Sequence, residues 1–112
     1  MDEFQRVCLL DELRPGQGRM VVVGGSPVCL FRIGDDVFAL DDRCPHAGAS
    51  LARGYLEDGV VRCRIHHWGF RIHDGVYVDE DNPRCNARPI PVRVIDGQVA
   101  VAMPKPSPDS GT

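Results

Sequence analysis

No segment of this 112-residue chain sustains the 3.6-residue apolar spacing of an amphipathic helix. No apolar run approaches the roughly 20 residues that a membrane-spanning helix needs. Helical bundles and helical membrane anchors are thereby set aside. Asp2, Glu3, Asp11 and Glu12 break up any signal-peptide core, so neither export nor anchoring is expected. Aromatic residues are scarce at 6%, the net charge is −3, and no basic run carries interleaved aromatics, so nucleic acid is not an expected partner. The length suits a single domain that buries roughly 65% of its unfolded surface. A second catalytic domain is not expected.

What the chain does have is a succession of short apolar runs rich in Val, Ile and Phe, bounded by Gly, Asp and Pro. This pattern predicts an all-β, antiparallel fold. Strands are expected near Phe4 to Leu9, Met20 to Val23, Val28 to Ile33 and Val37 to Asp41. Further strands are expected near Val60 to Arg62, Phe70 to Ile72, Val76 to Val78, Val92 to Ile95 and Gln98 to Ala102. Asp58-Gly59, Asp74-Gly75 and Asp96-Gly97 suit tight hairpins, with Gly34-Asp35 serving an earlier one. The folded domain is expected over residues 1–103. PKPSPDSGT follows Met103 with three prolines and no apolar residue, so 104–112 reads as a disordered tail.

Chemistry concentrates in two short segments, Cys44-Pro45-His46 and Cys63-Arg64-Ile65-His66. Each offers one sulfur and one imidazole nitrogen from a loop at the end of an expected strand. Two thiolates and two neutral imidazoles suit a [2Fe-2S] core with both Cys on one iron and both His on the other. The same four groups also suit a closed tetrahedral zinc site. Zinc fingers usually place the cysteines together and then the histidines, whereas each segment here runs Cys then His. The formal charges matter for the iron reading. A dicationic oxidised core becomes neutral with this ligand set but dianionic with four thiolates, so an electron is added at lower cost and the potential is higher.

The stretches CPHAGASL, GYLEDGVVRCRIHHWGF, IHDGVY and ARPIPVRVIDGQVAV resemble the Rieske [2Fe-2S] family over nearly all of residues 4–102. The likeness is to the soluble ferredoxins of ring-hydroxylating dioxygenases and to the small subunit of NADH-dependent nitrite reductase. It implies an antiparallel β-sandwich with a small cluster-binding subdomain formed by two loops. It also implies Cys44 and Cys63 on one iron, and His46 and His66 on the other through Nδ1. The third loop of the family, which shields the cluster with a proline, falls here at residues 79–89, with Pro83 the candidate cover.

Departures from the family are informative. Rieske proteins of the cytochrome bc type join the two loops by a disulfide whose positions correspond to Ala49 and Ile65. They also carry hydroxyl donors where this chain has Trp68 and Phe70. Losing those donors lowers the expected potential, while Arg43, Arg62 and Arg64, if unscreened, push it up. His67 stands where many relatives have Gly and is expected as an exposed neighbour of the ligand rather than a ligand itself. His73 is expected at the surface. Trp68 has two open readings, packing against the ligand loops or docking at the tip. Of the five cysteines, Cys8 and Cys29 are expected in the core, and Cys85 matches a position where nitrite reductase small subunits tend to carry Cys.

The expected function is a soluble, cytoplasmic electron carrier that makes or breaks no substrate bond itself. It would link a flavoprotein NAD(P)H reductase to a terminal oxidoreductase such as a ring-hydroxylating dioxygenase. The alternatives are the small [2Fe-2S] subunit of a nitrite reductase and a structural zinc-binding domain. A cluster-based sensor finds no output segment in its favour.

Overall fold

The computed structural model describes residues 3–45, 48–65 and 67–102, and these form an all-β structure. Ten strands arise in chain order: β1 (Phe4–Leu9), β2 (Arg19–Val23), β3 (Ser26–Ile33), β4 (Asp36–Asp41), β5 (Tyr55–Glu57), β6 (Val60–Arg62), β7 (Gly69–Arg71), β8 (Pro89–Ile90), β9 (Val92–Ile95) and β10 (Gln98–Ala102). They make three antiparallel sheets, ordered β1-β10-β9, β2-β3-β4-β8 and β5-β6-β7. Helix among the described residues is limited to three single 3-10 turns, Leu10–Glu12, Leu51–Arg53 and Pro83–Cys85. The expected tail lies outside the described residues.

The central strands β3 and β4 are buried on both faces, and this organises the molecule around two cores. Val28, Leu30, Val37 and Ala39 point to one face, where Val99 and Val101 of β10 and Cys8 of β1 meet them. Cys29, Phe31 and Leu40 point to the other, into a second core with Leu51, Val61, Phe70, Ile72 and Tyr77. Side chains alternate along a strand, so a strand covered on both sides reads as an unbroken apolar run, as Val28-Cys29-Leu30-Phe31 does. The first core closes the sandwich. The second fastens the β5-β6-β7 unit to it.

Hairpin chemistry follows the sequence in part. Asp58-Gly59 and Asp96-Gly97 take positive φ at both residues (52° and 76°, 52° and 74°), the type I′ geometry of two-residue turns. Asp74-Gly75 belongs instead to a wider turn, closed by Gly75 N–H to the Arg71 carbonyl at 2.7 Å. The strand expected over Val76 to Val78 reduces to one bridge, Phe70 with Tyr77. The cause is local, because two amides that would extend the ladder around this pair are taken by side chains, Gly69 N–H by Asp79 Oδ2 at 2.9 Å and Val76 N–H by Asp74 Oδ1 at 3.0 Å. Two strands escape the sequence pattern, β5 and the two-residue β8. The β5-β6-β7 unit is thus a sheet of its own, with Cys63 directly after its middle strand.

Candidate metal centre

Both motif cysteines end up in the second core. Cys44 is 2% exposed and Cys63 1%, and neither is in a disulfide. Cys44 follows β4, and Cys63 follows β6. Each opens a loop closed by the same pair of backbone hydrogen bonds. In the first, Cys44 N–H donates to the Ala49 carbonyl at 2.8 Å, and Gly48 N–H donates back to the Cys44 carbonyl at 2.7 Å. In the second, Cys63 N–H donates to the Trp68 carbonyl at 2.9 Å, and His67 N–H donates to the Cys63 carbonyl at 2.8 Å. The stems match as well, with Arg43 paired to Ser50 and Arg62 to Gly69. Two equivalent loops thus bring two buried thiols into one core.

His46 and His66, together with Ala47, lie outside the described residues. Among the described residues no cluster of three or more metal-ligating side chains forms, as the frame supplies only its two cysteines there. The described residues flanking the two histidines are exposed: Pro45 and Gly48 on the first loop, Arg64, Ile65 and His67 on the second. Ile65, 56% exposed, is an apolar surface residue that the sequence reading treated only as a missing cysteine.

Cys29 shares the core with Cys44 and Cys63 but is chemically different. Its thiol donates to the Leu40 carbonyl at 3.4 Å, and burial, reinforced by the nearby Asp42 charge, pushes its pKa far above the ordinary thiol range. It is protonated at neutral pH. Cys8 fills the opposite core, with its pKa also raised by burial. Cys85 is half-buried at the end of the 3-10 turn and packs against the second core.

Two of the three arginines beside the cysteines are ion-paired. Arg43 pairs with Asp41 at 3.2 Å and Arg62 with Asp79 at 3.3 Å, while Arg64 is exposed. His73 is exposed beside Asp74, as expected, with its Nε2 3.4 Å from Asp74 Oδ2. Trp68 packs inward, stacking on Tyr77 with ring centroids 4.6 Å apart, and Tyr77 in turn leans on Phe70 at 5.6 Å. Burial holds the Tyr77 phenol above its ordinary pKa, and the charges of Asp79 and Glu80 add to this. Sequence reasoning missed Tyr77, although its place after Asp74-Gly75-Val76 put an aromatic on the strand opposite Phe70. Pro83 is exposed on its turn, and the surrounding loop is pinned by Asn82 Oδ1 accepting from Arg84 N–H at 3.2 Å and by the Asn86 bond to Tyr77.

Comparison with known proteins places this geometry in context. The model of the Rieske [2Fe-2S] domain matches residues 3–102. The ferredoxin subunit of anthranilate 1,2-dioxygenase from Burkholderia cepacia is 36% identical over 104 residues, covering 88% of this chain and 91% of the relative. A solved complex of reduced oxygenase and oxidised ferredoxin in carbazole 1,9a-dioxygenase contains a chain 31% identical, with TM-score 0.80, covering 93% of this chain and 97% of that one. The putative NADH-dependent nitrite reductase small subunit from Mycobacterium tuberculosis superposes with TM-score 0.84 at 32% identity, covering 95% and 99%. Among the described residues no helix is long and apolar enough to cross a membrane.

Proposed function

The chain belongs to the Rieske [2Fe-2S] family, and from that premise we propose that it is a ferredoxin, carrying single electrons from an NAD(P)H-dependent flavoprotein reductase to a terminal oxygenase. The observation that carries this reading is the nearly end-to-end match to a dioxygenase ferredoxin subunit, joined by the likeness to a ferredoxin chain solved together with its oxygenase. The domain spans 1–103 in this reading, and 104–112 is a tail.

Cys44 and Cys63 hold one iron, and His46 and His66 the other. A cluster so bound supplies one reversible electron. What supports this donor set is two buried thiols, outside any disulfide, at the head of two equivalent loops in one core, each followed by a histidine at the family spacing. The two sulfurs belong to the buried side of the site. Exposed Pro45, Ile65 and His67, with Arg64 the charged residue among them, leave a partly apolar tip beside the histidine positions, suited to brief encounters rather than permanent assembly. Buried cysteines kept as thiols favour the reducing cytoplasm.

Anaerobic mixing with NADH and a dioxygenase reductase tests the carrier role. The visible band of the oxidised protein should bleach, and oxygenase with its substrate should restore it. The likeness to a nitrite reductase small subunit, with Cys85 and the His66-His67-Trp68 run, favours a second reading as a subunit of that enzyme. Co-purification with a large sirohaem or flavin subunit, and no bleaching by the dioxygenase reductase, would give that reading instead.

A further inference from the structure

The second ligand loop is tied down from outside itself. Asp79, beyond β7, reaches back so that its Oδ2 accepts the Gly69 N–H at 2.9 Å and its Oδ1 accepts from Arg62 Nη1 at 3.3 Å. The same guanidinium nitrogen donates to the His67 carbonyl at 2.9 Å. One carboxylate therefore grips both stems of the loop, at the residue before Cys63 and the residue after Trp68. Gly69 makes room for the grip, since a Cβ there would lie 3.0 Å from Arg62 Nη1 and 2.8 Å from the Val78 side chain.

The first loop is held differently. Arg43 is paired to Asp41, two residues before it, and the loop exit is fixed by Asp42, whose Oδ1 accepts the Ala52 N–H at 2.8 Å. Pro45 stiffens that loop, whereas the second has Arg64 and Ile65 between its ligands and places a histidine at φ 61°. A loop with more freedom and a left-handed residue needs an external tie.

Resting on the cluster-carrying reading above, we propose that Asp79 is a positioning residue for the second ligand loop. Through Arg62 and Gly69 it fastens the two stems of that loop to each other with charge-assisted hydrogen bonds. The same carboxylate cancels the Arg62 cation next to Cys63. Asp79 thus governs both how firmly the iron is retained and how readily it is reduced.

The charge effect is separable from packing by a cycle of near-isosteric variants, D79N, R62Q and the double variant, each with its cluster, in a redox titration. D79N should raise the midpoint potential, R62Q should lower it, and the double variant should return close to the wild-type value. No rise in D79N, or a rise that the double variant keeps, overturns the charge role. Retention is read from bleaching of the visible band under an iron chelator. D79A should lose iron roughly 10-fold faster, the lower end of what outer ligand partners usually contribute. Asp79→Glu should recover most of that difference. A rate in D79A equal to wild type overturns the positioning role. A wild-type chain that binds no cluster overturns the carrier reading itself, which distinguishes that failure from one confined to Asp79.

Discussion

Gly48 and His67 hold the same place in the two ligand loops. Each lies four residues after its cysteine, each donates its N–H to that cysteine's carbonyl, and each takes a positive φ, 71° and 61°. The position calls for a left-handed residue, which glycine adopts freely and histidine only at some cost. His67 is compensated by its neighbours. Its Nδ1 lies 3.0 Å from the Tyr55 hydroxyl, and its carbonyl accepts from Arg62.

Backbone preference at this site separates two substitutions that look alike. Ala at position 67 keeps the left-handed cost of about 1 kcal/mol and loses the Tyr55 contact, whereas Gly loses the contact but removes the cost. Thermal melts of the cluster-bound protein should therefore rank His67→Gly above His67→Ala. The reverse order would mean that the φ of this residue does not limit the loop.

Two cores on opposite faces of β3 and β4 should respond differently to truncation. Leu30→Ala, in the sandwich core, and Phe70→Ala, beneath the ligand loops, each remove a fully buried side chain, for about 2–5 and 3–5 kcal/mol. Only Phe70→Ala should also speed cluster loss at temperatures where the sandwich stays folded. Parallel loss of visible absorbance and far-ultraviolet signal in both variants would contradict a separate second core.

Much of this architecture was legible in the residues. Phe4–Leu9, Val60–Arg62, Val92–Ile95 and Gln98–Ala102 stand where alternation and Asp-Gly turns put them. Tyr55–Glu57 was missed because three residues with one inward side chain leave no periodic signal. Val76 to Val78 failed for the opposite reason: the β-rich run is there, but the Gly69 and Val76 amides that a ladder would use go to the Asp79 and Asp74 side chains. Spacing alone marked out Cys44 and Cys63, which the structure buries in one core. The ties around them were not legible, because Asp79 and Arg62 are far apart in sequence and nothing in composition marks one carboxylate among many.

Thiol chemistry should follow burial. With the cluster in place, iodoacetamide at neutral pH should modify Cys85, which is half-buried, and spare Cys8 and Cys29, whose thiols burial keeps protonated. Mass spectrometry of the native protein should show one adduct. A second adduct on Cys29 would mean that its core opens readily.

The potential should fall in the lower half of the roughly −150 to +300 mV span of Rieske centres. Trp68 and Phe70 provide no hydroxyl where high-potential relatives carry donors, and the Arg43 and Arg62 charges are balanced by Asp41 and Asp79. His66→Cys, replacing a neutral ligand with an anion, should lower it further. A midpoint well above zero, or a rise in the His66 variant, would contradict this electrostatic ordering.

Electron paramagnetic resonance of the dithionite-reduced protein, with nitrogen hyperfine resolved, probes the ligand set itself. Two imidazole nitrogens coupled to the reduced iron, one of them lost in either His46→Ala or His66→Ala, is the expected result. A signal without nitrogen coupling, or a colourless protein holding zinc, would contradict the assignment of Cys44, His46, Cys63 and His66 to a mixed-ligand [2Fe-2S] centre.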